Sequence, residues 1–275
     1  MKDNLLRSML YAVLFISVSI LIQTVMQLVC VWAYSFVNHR PTADVLSEVQ
    51  LGQNGVLLAV SSVFSGLMTI VVFARTRWTP VSNHYLKTKP VGVLLWTILF
   101  TIGTILPTEF MFEKIQLTMP DNYEKLFDGV MSTPWGYAAL GLLIPVAEEM
   151  VFRGAILRKL LEVFSPKWHW VAIVVSALLF GAIHLNVAQG IHAFMVGLAL
   201  GWVYYRTKSV IPGIALHWVN NTVAYLMFYL MPNMSDGKLI DLFHGDSRLM
   251  YGGLFFSMCI LIPSIFQLNM RMKSE

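Results

Sequence analysis

The sequence predicts an all-α protein, a polytopic membrane helix bundle of about eight transmembrane helices with both termini cytoplasmic. Two observations carry that expectation. Of 275 residues, 57% are hydrophobic and only 12% charged, against about 25% charged in soluble chains. The apolar residues also gather into runs of roughly 20, the length that crosses a bilayer. All of 1–275 is therefore expected to form one integral-membrane domain.

The first run, near 8–33, follows a short basic stretch, Met1 to Arg7, and continues to about Phe36 without a small-residue cleavage site. It exceeds the roughly 7–15 residues of a signal-peptide core and is expected to be retained. Spans near 54–74 and 91–112 follow. A long fourth run, 135–163, turns at about Ser165-Pro166-Lys167, where proline blocks helix continuation, into a fifth, 168–186. Further spans lie near 189–205, 210–231 and 249–267. Gly197 and Gly201 give the sixth a small-xxx-small face for close packing. The tryptophans Trp78, Trp135, Trp168 and Trp170 flank spans as interfacial anchors.

Loops 37–52 and 113–134 are polar and acidic. Charge is distributed unevenly between the two sides. Thirteen basic residues (Lys2, Arg7, Arg75, Arg77, Lys87, Lys89, Arg158, Lys159, Lys167, Arg206, Lys208, Arg271, Lys273) fall on one side of the alternating spans and five on the other. The rich side is expected to be cytoplasmic. The net charge of +4 is thus a topology signal, and a nucleic-acid partner is not expected. Cys30 and Cys259 stand in separate apolar runs without metal-type spacing, as buried reduced residues do.

One run departs from the apolar pattern. Pro145-Val-Ala-Glu148-Glu149-Met-Val-Phe-Arg153 puts two carboxylates and a guanidinium inside a predicted span, where each charge costs about 2.5–3.5 kcal/mol at mid-bilayer. Glu149 and Arg153 are spaced i, i+4, so they can pair along one helix face, which leaves Glu148, about 100° around, for proton chemistry. Glu148 lies 18 residues before Pro166 and His184 lies 18 after it. If both arms are helical, each group stands roughly 27 Å from the turn, at one depth. Phe180, one turn before His184, could wall the site or could simply be a lipid-facing or core aromatic.

The seventh span adds His217 and Asn221, again i, i+4. They could donate hydrogen bonds to one developing oxyanion, serve as a metal ligand with an orienting amide, or bridge two helices. Asn220 lies on a different face and is set aside. His39, His84, His169, His192 and His244, in loops or near span ends, read as solvated or interfacial. Other protease patterns are missing. The chain has neither a His-Glu-x-x-His helix nor a Gly-x-Ser-x-Gly elbow. Val63 stands where a rhomboid-type serine motif needs glycine before Phe64-Ser65-Gly66, and Gly245-Asp246 lies in a loop.

Taken in order, Glu148-Glu149-x-x-x-Arg153, Phe180-x-x-x-His184 and His217-x-x-x-Asn221 resemble the CPBP intramembrane endopeptidases, which include the Ras-converting CAAX proteases and the bacterial Abi proteins. The resemblance covers about 135–231, the expected catalytic core. It implies hydrolysis of a peptide bond in a membrane-associated peptide or protein substrate, by CAAX-type or bacteriocin-related processing. Glu148 would activate water with help from His184, His217 and Asn221 would stabilise the oxyanion, and Glu149, Arg153 and Phe180 would support them. No cofactor is favoured. Should the family's zinc description apply, Glu148, His184 and His217 are the candidate ligands. The implied location is the bacterial cytoplasmic (inner) membrane, multi-pass. A non-enzymatic immunity or scaffold protein, or a proton-linked transporter, is the alternative; no matching halves of a transporter repeat are visible.

Overall fold

A computed structural model of the chain describes residues 2–81, 83–164, 166–230 and 238–272. Ser165, at the expected turn, and Asp236 and Lys273 lie outside the described residues. Among those residues every regular element is a helix. Five helices are long and apolar enough to cross a membrane: Leu5–Val37, Gly55–Arg75, Val91–Lys114, Val187–Thr207 and Ser247–Arg271. The protein is an all-α, multi-pass membrane bundle. Helices satisfy most backbone polar groups internally, as hydrocarbon requires.

The chain divides into two compact units, residues 1–81 with 119–201 and residues 82–118 with 202–275. The first unit contains α1 (Lys2–Val37), α2 (Thr42–Gln50), α3 (Gly55–Arg75), α6 (Asp121–Met131), α7 (Ile144–Glu149), α8 (Arg158–Leu161), α9 (His169–Ala182) and most of α10 (Val187–Thr207). The second holds α4 (His84–Lys87), α5 (Val91–Lys114), the end of α10, α11 (Ile211–Leu230) and α12 (Ser247–Arg271). The polar loops expected at 37–52 and 113–134 thus carry the short helices α2 and α6. Val31, Val45, Val49 and Leu57 bury together where α1, α2 and α3 meet, and Arg40 closes that corner with two hydrogen bonds to Glu48, one of 3.0 Å.

In the first unit α1 packs on α3, and both contact the helix that carries the acids. Phe15, Phe73 and Trp78 form an aromatic knot with centroid separations of 5.0–5.9 Å. Trp78 is therefore a packing residue, whereas Trp135, Trp168 and Trp170 are exposed as interfacial anchors are. The small face of α10 sits on α9: a Cβ at Gly197 would stand 3.1 Å from Ala177 and one at Gly201 2.7 Å from Ile173. In the second unit α5 runs against α11 and α12, and Gly103 lets the α5 backbone approach Leu261.

The fourth expected span, 135–163, is not one regular helix. Two π-helical segments, Tyr137–Leu143 and Met150–Leu157, bracket α7, and α8 completes the rod. A π turn re-routes backbone bonds and often occurs at functional positions. Side chains from neighbouring segments bond carbonyls of the second segment. Thr79 Oγ1 donates to the Met150 carbonyl at 2.5 Å and Ser176 Oγ to the Phe152 carbonyl at 3.2 Å.

Candidate active site

The register of the hairpin formed by the acid-bearing rod and α9 can be read from its contacts. Phe152 precedes Pro166 by 14 residues and Phe180 follows it by 14; their rings lie 5.0 Å apart. Glu148 and His184 are one turn further along each arm. The expected fifth span is nevertheless shortened. α9 stops at Ala182, and His184 sits in the turn before α10. The stop is local chemistry: Leu185 takes a left-handed φ of 58°, and the Asn186 side chain accepts from the Gln189 amide at 2.9 Å, the N-cap bond that starts a helix. The estimate of depth from two uninterrupted helical arms does not hold for this geometry.

The two adjacent acids have different surroundings. Glu149 is fully buried and receives Arg153 Nη1 at 2.7 Å, and Arg153 is itself 1% exposed. The Arg153 Nη2 group donates to the Gly197 carbonyl at 3.4 Å. Above that guanidinium lies the Phe180 ring, 4.4 Å from the Arg153 centre, and Phe180 is 2% exposed, which removes the lipid-facing reading for it. The far edge of the stack is His184, set at 86° to the Phe180 ring with centroids 5.2 Å apart. The pair Glu149–Arg153 thereby supports His184 through one aromatic ring.

The tautomer of His184 follows from its bond. Nδ1 lies 2.9 Å from the Phe180 carbonyl; a carbonyl only accepts, so Nδ1 carries the proton. In the neutral ring Nε2 is then left with the lone pair.

Glu148 is half-buried and lines a cavity of about 30 Å³ with Ser19, Gln23, Ser65, Thr69, Phe152 and Ile183 among its neighbours. A water needs roughly 10–15 Å³, so this space admits one or two. The cavity lies wholly within the first unit.

His217 and Asn221 belong to α11 in the second unit. His217 is 5% exposed. Asn221 Oδ1 accepts from Asn220 Nδ2 at 3.2 Å. Asn220, set aside in the sequence, is thus the residue that orients Asn221. Ser176, Thr79 and Asn186 were missed as well. Each is a polar residue at or inside an apolar run, and Asn186-x-x-Gln189 is a readable cap pattern. Among the described residues no three His, Cys, Asp or Glu side chains are gathered as a metal ion requires.

Comparison with known proteins bears on the segment that carries the motifs. Residues 130–223 match the family model "Type II CAAX prenyl endopeptidase Rce1-like", spanning Glu148, His184, His217 and Asn221. Over that segment the chain is similar to the CPBP/CAAX protease family. It is 23% identical over 200 residues, 70% of this chain and 78% of the relative, to "Putative membrane peptidase YdiL" of Bacillus subtilis (strain 168). No solved structure matches.

Proposed function

We infer that this CAAX-type protease cleaves a peptide bond of a membrane-associated peptide or protein by a water molecule activated on Glu148. The observation that carries the reading is the division of the acids: Glu149 is held by Arg153, while Glu148 lines a water-sized cavity. Glu148 accepts a proton from water as its oxygen attacks the scissile carbonyl carbon, forming a tetrahedral oxyanion. His184 Nε2, kept as the acceptor by the Nδ1 bond to Phe180, helps hold that water. His217 and the Asn221 amino group donate hydrogen bonds to the oxyanion, an effect worth several kcal/mol in a dry site. Collapse of the intermediate breaks the C–N bond, and the proton on Glu148 passes to the leaving amine.

The basic excess on one face of the spans supports cytoplasmic termini, and the similarity to a Bacillus protein supports a bacterial cytoplasmic membrane. Candidate substrates are a prenylated CAAX tail, a bacteriocin-related peptide or an unmodified membrane-protein segment. The test is hydrolysis of fluorescence-quenched peptides of these three kinds by the purified full-length protein, with and without a chelator. Cleavage by the wild type that disappears in Glu148→Gln and persists in chelator is expected. Cleavage retained in Glu148→Gln overturns the reading, and loss in chelator alone replaces the metal-free step with zinc-assisted hydrolysis.

A further inference from the structure

The helices α1 and α3 lie outside the segment that matches the family, yet they form one wall of the Glu148 cavity. Four polar side chains stand on that wall: Ser19 and Gln23, one turn apart on α1, and Ser65 and Thr69, one turn apart on α3. Ser19 and Ser65 are satisfied within their own helices, donating to the carbonyls of Ile16 at 2.8 Å and Ser62 at 3.0 Å. The other two have no such bond. The Thr69 hydroxyl makes no side-chain hydrogen bond among the described residues although Thr69 is only 4% exposed, and the Gln23 amide, on an exposed residue, lines the same cavity without one. A hydroxyl in a helix commonly bonds a carbonyl three or four residues back, and an unmet polar group in a span is costly.

An ordered water needs two to four polar partners as well as room. Glu148, Thr69 and Gln23 supply three around a space of about 30 Å³. We propose that Thr69 and Gln23 hold the nucleophilic water against Glu148, so that the first two apolar spans are part of the hydrolytic centre as positioning elements. This rests on Glu148 acting as the base. Thr69 Oγ1 can give its proton to the carboxylate or the water and accept in return, and the Gln23 amide can do both at its two ends. Together they would aim the water's lone pair outward while one of its protons points at Glu148.

Two measurements on the full-length protein in micelles test this. In radiolytic hydroxyl footprinting, which labels side chains beside bound water, Ile144 and Phe152 are expected to be oxidised in the wild type and several-fold less in Thr69→Val/Gln23→Leu. Cleavage of a quenched peptide with a farnesylated CAAX tail by the same variant is expected to lose about 10- to 100-fold in kcat, with KM within about twofold, as removal of a transition-state interaction requires. Thr69→Ser, which keeps the hydroxyl, is expected to retain both signals. An unlabelled cavity in the wild type, or unchanged labelling and kcat in the double variant, overturns the proposal. Turnover surviving in Glu148→Gln sinks the base assignment instead, and footprinting still decides whether Thr69 and Gln23 hold a water.

Discussion

The Arg153 guanidinium lies 4.4 Å from the centre of the Phe180 ring, and the same ring presents its plane to His184 at 86°. The ring thus contacts a cation and a near-perpendicular imidazole at once. Desolvated cation–π contacts are worth about 2 kcal/mol. Phe180→Leu keeps apolar volume but removes both contacts. It is expected to leave a folded protein with lowered kcat, and peptide hydrolysis beside a thermal melt checks the pair. Wild-type kcat in that variant would show that His184 is held by its backbone bond alone.

The adjacent acids should separate in a stability assay. Glu149→Gln leaves Arg153 buried at 1% exposure without its 2.7 Å counter-charge, and breaking a buried pair on one side costs about 3–5 kcal/mol. Glu148→Gln touches a half-buried group and is expected to melt near the wild type while turnover falls by about 10²- to 10⁴-fold. Thermal melting in micelles and peptide cleavage on the same preparations read both effects. Equal melting points for the two variants would contradict the division.

Gly154 sits where the second π segment meets the loop after α3. A Cβ there would stand 2.6 Å from Thr79 Oγ1, the hydroxyl that donates to the Met150 carbonyl. Gly154→Ala is expected to displace that hydroxyl and cost about 1–3 kcal/mol. Thr79→Ser in the same background removes the methyl and should recover part of the loss, as a melting series would record.

On the loop between α1 and α3 the expected response is to acid. Hydrogen bonding to the Arg40 guanidinium holds the Glu48 carboxyl below its ordinary 4.5. The contribution of the pair to loop order is therefore complete above that ordinary value and lost as pH falls through the lowered one. Limited proteolysis between Val37 and Gly55 should accelerate only below the ordinary range, and Glu48→Gln should make the rate high and flat with pH.

Much of this architecture could be read in advance because membrane spans are written in composition. The ion pair at Glu149 and Arg153 was visible as an i, i+4 spacing, whereas the level of Glu148 with His184 assumed two uninterrupted arms, and α9 ends at Ala182. The π segments were not visible, because nothing in Met150–Leu157 as a string of residues distinguishes an i→i+5 ladder from an i→i+4 one. The end of α9 was written in Asn186-x-x-Gln189, but the apolar run masks it. Of the long helices, α11 escapes the count of apolar spans while carrying the histidine and the asparagines that the chemistry uses. The polar wall of Ser65 and Thr69 was hidden for a related reason: hydroxyls in a span usually bond their own backbone, and only the packed neighbours show which one does not.

A π segment holds one residue more than an α-helix needs to cover the same bonds. Deleting a single residue between Met150 and Leu157 would let the ladder close as ordinary α-helix and turn everything before it by about 100° relative to α9. That is the angle between neighbouring side chains, so Glu148 would leave the water-sized space and an adjacent residue would take its place. The spelling of this centre is therefore a reading frame as well as a composition. A shortened chain with every named side chain intact would be expected to fold and to be silent.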